Sequence, residues 1–202
     1  MANILDISAG ARSFIMGDYP DFSGRFSLER LMGITDILRN GTEEITDKSS
    51  LPEVLVLDRT RKILPDFFNT VNAMLICSDP FRKMVQDEDS GKHQFFPIKI
   101  TFRNGCVFPN SNFFIVNVVA RKKTVDVTKP SIHTYNDGVS YGMGYDEDEP
   151  VYFSKDALKG AHLWREAGFH DQLFMSDALL QRSKQQGMKV FKPRNPSKVI
   201  GG

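Results

Sequence analysis

Twice in this chain an apolar run of strand length ends in Ser-Asp and turns into a helix. The clearer copy is Leu173-Phe174-Met175-Ser176-Asp177-Ala178-Leu179-Leu180. Leu173 and Met175 alternate with Phe174, the two-residue period of a strand with two different faces. The Ser176 hydroxyl suits an N-cap, because it can accept from a backbone N–H in the first helical turn. Asp177 places negative charge at the positive end of the helix dipole, and Arg182 and Lys184 sit towards the negative end. Gly187 is placed to close the helix. Met188 and Val190 then alternate with lysines before Pro193, which reads as a closing strand. The upstream copy is Met74-Leu75-Ile76-Cys77-Ser78-Asp79-Pro80-Phe81. Here Asp79 is the expected cap, since a residue before proline is pushed out of the helical region and proline suits the first helical position. Phe81, Met84 and Val85 fall on one helical face. A polar loop over residues 87–92 follows, and Phe95-Phe96-Pro97-Ile98-Lys99-Ile100 resumes as a strand. Two echoed strand–helix–strand units of this kind suggest an α+β fold, read here as mainly antiparallel sheet with short capped helices.

Other stretches add strands and turns. Val54-Leu55-Val56-Leu57 has strand length. Asn104-Gly105 between apolar flanks marks a hairpin. Residues 113–119 are rich in β-branched and aromatic side chains and read as a central strand; Asn117 within it needs hydrogen-bond partners if buried. Residues 19–24 read as a turn or loop, and residues 27–32 begin a short helix with Ser27 as its cap. Residues 129–150 read as one long loop, residues 154–160 as a single helical turn closed by glycine, and residues 162–166 as a strand. The 202 residues fit one domain or two small ones. Residues 1–50 are expected to be a poorly matched segment packed on, or extending from, a main α+β domain over 51–202.

Composition excludes several classes. A net charge of +1 gives no broad field for nucleic acid or an anionic membrane. Cys77 and Cys106 cannot form a disulfide framework or a metal site by themselves, and both are read as reduced and cytosolic. Cys77, inside an apolar run, reads as core. The N-terminus lacks the basic and apolar regions of a secretory signal, so a cytoplasmic location is expected. No metal, cofactor or catalytic residue is assigned. His93, His133, His162 and His170 lack metal-ligand spacing and read as surface residues. Gly142-Met143-Gly144 lacks the strand–turn–helix setting of a phosphate loop. Ser78 and Ser176 are accounted for as caps. Trp164 reads as core. The acidic run Asp146-Glu147-Asp148-Glu149 fails the calcium-loop pattern. It is either a solvated turn or a patch that steers association with a basic cleft.

Four motifs in order carry a resemblance. They are Leu75-Ile76-Cys77-Ser78 with Phe81-Arg82; Phe95-Phe96-Pro97-Ile98; Phe114 to Val119 with Val125-Asp126 and Ser131; and Lys159 to Phe169 followed by Leu173-Phe174-Met175-Ser176-Asp177 and Gly187-Met188-Lys189-Val190-Phe191. Together, over residues 51–196, this part of the chain resembles the family-11 immunity proteins of bacterial polymorphic toxin systems. Trp164 stands where that family has phenylalanine. The resemblance implies an immunity protein that neutralises a cognate toxin domain encoded by a neighbouring gene, by covering its active site or substrate access. It carries over no catalytic residue. The contact surface is expected on the loop, at Tyr141, Tyr145, Asp146, Glu147, Asp148 and Glu149, with residues 12–30 as a second region. The competing classes are a small cytosolic hydrolase or transferase with a dispersed site, and an adaptor module.

Overall fold

The computed structural model describes residues 2–5, 14–24, 27–41, 43–109, 112–129, 131–135, 140–143, 149–169, 172–193 and 197–200. The strands among them are β1 (Ala2–Leu5), β2 (Phe14–Ile15), β3 (Gly17–Asp18), β4 (Val54–Leu57), β5 (Phe67–Thr70), β6 (Leu75–Ser78), β7 (Gln94–Phe102) and β8 (Phe113–Asn117). They continue with β9 (Arg121–Lys122), β10 (Ile132–Thr134), β11 (Tyr141–Met143), β12 (Val151–Ser154), β13 (Leu163–Glu166), β14 (Leu173–Ser176) and β15 (Ser197–Ile200). The helices are α1 (Pro20–Ser23), α2 (Leu28–Asn40), α3 (Asp79–Glu88) and α4 (Asp177–Gln185). No described helix is long and apolar enough to cross a membrane.

The largest sheet runs β2-β5-β6-β8-β7-β4-β3. Its two edge strands are separated only by Met16. Phe14 and Ile15 pair in parallel with Asn69 and Thr70 at one edge, while Gly17 and Asp18 pair antiparallel with Leu57 and Val56 at the other. Residues 14–18 are therefore one bent strand laid into the gap between β4 and β5, and the sheet closes into a mixed barrel. Side-chain alternation confirms the closure. Ile15, Leu55, Leu57, Phe68, Ile76, Phe96, Ile98, Ile100, Phe113 and Ile115 form one buried cluster inside the barrel. Their neighbours Phe67, Leu75, Cys77 and Val116 point outward into a different one. Tyr19 and Phe22, carried by the turn of α1, belong to the interior cluster, and the Tyr19 hydroxyl bonds Thr70 Oγ1.

A second sheet, β1-β14-β13-β9, stacks beside the barrel. One face presents Leu5, Leu163, Leu173 and Met175 to the outward barrel residues, together with Phe81, Met84 and Val85 of α3 and Leu179 and Leu180 of α4. The opposite face buries Ala2, Ile4, Trp164 and Phe174 against Ile132, Val151 and Phe153. The echoed units thus share a layer: both helices lie in the seam between barrel and second sheet.

The α+β class stands as expected, as do the Ser176 cap, whose Oγ accepts from the Leu179 amide at 3.1 Å, and the central place of β8. Several local expectations are corrected. Ser78, not Asp79, caps α3 by accepting from the Phe81 amide; Asp79 lies in the first turn and holds Arg82 and Lys83. Residues 188–192 do not pair as a strand. The Lys189 carbonyl accepts the Asp66 and Phe67 amides instead, and its own amide donates to the Asp66 carboxylate at 2.9 Å. Residues 20–23 are a helical turn, because Tyr19 and Phe22 gain burial there. The helix capped by Ser27 is longer than the short one expected and runs through Asn40. Residues 155–159 form turns, not a helix. The expected long loop contains the antiparallel pair β10–β11. Gly142 allows that pairing, since a Cβ there would meet the Tyr135 hydroxyl at 2.6 Å.

Gly41 ends α2 with φ +60°. A Cβ at this position would overlap the Val118 carbonyl oxygen, with Arg165 Cγ only 3.1 Å away. Gly41→Ala is expected to destabilise the protein by at least about 2 kcal/mol, combining left-handed strain with the clash. Gly91→Ala shares the backbone cost (φ +71°) but meets open space, so urea denaturation should rank it clearly milder.

Candidate functional site

Of the residues expected to contact a partner, Tyr141 and Glu149 fall within the described residues. Tyr141 is half-buried on β11, its ring 5.9 Å from that of Phe169 and its amide donating to the Gly168 carbonyl at 2.6 Å. Glu149 is half-buried just before β12. Tyr145, Asp146, Glu147 and Asp148 lie outside the described residues, as does His170. Of the second region, residues 14–24 are taken up by closing the barrel.

What the fold does bring together is a set of buried polar groups where the barrel meets the second sheet. Asp89, one residue past α3, is buried. Its carboxylate accepts the amides of His162 (2.8 Å) and Leu163 (2.8 Å) and faces His93 Nε2 and Lys92 Nζ, each at 3.3 Å. Burial would raise its pKa, but the His93 bond and the two amides outweigh that and hold it at about 2. Glu166 at the end of β13 binds the Thr124 and Val125 amides, the Thr124 hydroxyl and the Trp164 indole N–H. Burial still pushes its carboxyl upward against these donors. Arg165, facing the other way, donates to the Leu38 carbonyl at 3.1 Å and so covers the C-terminal turn of α2. Asn117 Nδ2 bonds the Glu43 carbonyl and Gln94 Oε1, each at 3.0 Å, and Gln94 in turn brackets Ile45 through that residue's amide and carbonyl. These groups fasten residues 38–45 and β13 to the barrel.

One arrangement bears on the enzyme alternative. Ser176 Oγ lies 2.8 Å from His162 Nδ1, and His162 Nε2 is 3.9 Å from Glu88 Oε2. The order resembles a nucleophile–base–acid relay. The Ser176 oxygen, however, is already accepting from Leu179 as the α4 cap, and the histidine–glutamate distance exceeds a hydrogen bond. Glu88 is instead committed to Arg182, which also reaches Asp87 at 3.1 Å and ties α4 to α3. Chemically this is a helix-locking network. Among the described residues, no group of three or more His, Cys, Asp or Glu is arranged to hold a metal ion.

Sequence reading assigned residues 87–92 to a polar loop and the histidines to the surface. It missed that Asp89 is buried and that the His93 side chain is 1% exposed. The detectable signal was spacing: Asp89 and His93 stand four apart, and Glu166 stands two residues after Trp164 in the same strand, on the face already read as core.

A family model described as an immunity protein family (Imm11) matches residues 23–197. No curated protein matches the chain.

Asp89 provides a pH test. Its folded pKa lies below the unfolded value of about 3.9, so its contribution is full above pH ~4 and disappears as pH falls towards ~2. The shift corresponds to roughly 2 kcal/mol. Asp89→Asn should lose at least that much stability at pH 7, because an amide nitrogen would then face backbone donors. It should also flatten the acid limb of the stability–pH curve, measured by denaturant titration.

Proposed function

The chain belongs to the Imm11 immunity protein family, and we propose that it acts by binding a cognate antibacterial toxin domain and blocking its active site or substrate access. The observation that carries this reading is the family match over residues 23–197. The structure is consistent with a stoichiometric binder. Among the described residues, the buried Asp89, Arg165 and Glu166 are engaged in joining layers, and Ser176, whose hydroxyl meets His162, is a helix cap. The toxin would be the product of a neighbouring gene, possessed by a bacterium that must protect its own cytoplasm. Neutralisation would be steric. A stable protein complex needs on the order of 1,600 Å² of buried surface with a few central anchors. The segment 129–150 is our proposed contact region, with Tyr141 and Tyr145 as aromatic anchors and Asp146, Glu147, Asp148 and Glu149 steering a basic cleft.

Co-expression of the chain with the adjacent toxin domain should restore growth and yield a complex that co-purifies. Reversing the charges of Asp146, Glu147, Asp148 and Glu149 together should weaken that complex about tenfold or more, chiefly through slower association. Unchanged affinity, measured by surface plasmon resonance, would remove this segment from the interface. Growth arrest despite abundant folded chain would reject the immunity reading itself.

A further inference from the structure

On the surface beside the second sheet, the edge strand β9 forms one wall of an open groove of about 400 Å³. Its lining carries four cations, Lys92, Arg121, Lys122 and Lys159, against one carboxylate, Glu44. The whole chain has a net charge of only +1, so this is a local concentration of charge.

Little inside the protein neutralises it. Arg121 is exposed and has no ion-pair partner among the described residues. Lys92 points at Asp89, but that carboxylate is already bonded by two amides and His93. Lys159 pairs with Asp156 at 3.0 Å in a surface contact where both side chains are about four-fifths exposed, an arrangement that contributes little and exchanges readily with water. Lys122 sits 4.6 Å over the Trp164 ring, with its ammonium 3.4 Å from the Ala161 carbonyl. Burial lowers its pKa despite nearby Glu166 and Asp89. An anion entering the groove would therefore meet the partly desolvated Lys122 ammonium and the exposed cations around it.

We infer that this groove is a docking site for an acidic segment of a partner protein, a short run of Asp and Glu side chains. The charge count selects the chemistry: several cations spread along an open groove suit several carboxylates on an extended segment better than one compact anion. Among the described residues, the lining comes from outside segment 129–150, and the inference rests on the reading that this chain works by docking on another protein.

Trp164, the single tryptophan, reports occupancy because Lys122 covers its ring. Titration of the full chain with an oligo-glutamate peptide should give a saturable change in tryptophan emission, weakened by added salt. Arg121→Gln with Lys159→Gln, both exposed positions, should lower the affinity about tenfold, and the charge reversals Arg121→Glu with Lys159→Glu should lower it further. Oligo-glutamine should give no change. A flat titration, or equal affinity in the parent and the charge-neutral variant, would overturn the proposal. So would inorganic phosphate binding as tightly as the peptide and displacing it, which marks a small-anion pocket. Protection against the toxin in co-expressing cells is scored separately. Failure of the parent chain to protect would sink the immunity reading, whereas a flat peptide titration with protection intact would sink the groove alone.

Discussion

Five residues decide whether this protein has a closed interior. Without residues 14–18 the largest sheet is open, with one edge at Leu57 and another at Asn69. With them, both edges are paired through a single bent strand, and the inward side chains of β4 to β8 enclose one another. The interior is filled from the same region of the chain, by Ile15, Tyr19 and Phe22. Closing the sheet and plugging it are thus one event. Everything outside the barrel, including the seam that holds α3 and α4 against the second sheet, packs on a wall that this closure makes rigid.

The strand-to-helix turns of the two Ser-Asp units were legible because their information is local, although the cap of α3 was assigned one residue late. A hydroxyl placed before a helix satisfies an amide three residues on whatever the surrounding fold. The alternation of Leu173, Phe174 and Met175 likewise reports two different environments directly. Barrel closure was illegible for the opposite reason. Phe14-Ile15 and Gly17-Asp18 are pairs too short to show any period, and Gly-Asp has poor intrinsic strand preference. The partners of Gly17-Asp18 lie about forty residues downstream and those of Phe14-Ile15 about fifty-five, and only the completed barrel stabilises them. Residues 19–24 misled similarly: Pro, Asp, Ser and Gly signal a turn, while two buried rings make that turn helical.

Charged residues were misread in a consistent direction. Asp89 looked like part of a hydrated run with Asp87 and Glu88, yet the three have different roles. Asp87 and Glu88 reach Arg182 on α4, while Asp89 turns inward to the backbone of β13. Arg165 and Glu166 are neighbours on one strand and point to opposite faces, so one binds the end of α2 and the other binds the start of the segment after β9. A strand's period of two is visible in sequence only when hydrophobicity marks it. Here charge on both faces hid it, and the partners are backbone groups that leave no sequence trace. The candidate surface was less legible still, because the cations around β9 come from three separate stretches of chain.

Barrel closure also restricts how another molecule can grip this one. A sheet with a bare margin offers a ladder of unpaired amides and carbonyls, and a passing chain can zip onto it almost regardless of its side chains. Among the described residues the barrel has no such margin, and one edge of the second sheet is a two-residue strand bearing Arg121 and Lys122. At both places recognition must be written in side-chain shape and charge. Such a surface can change residue by residue while the hydrogen-bonded framework beneath it stays unaltered.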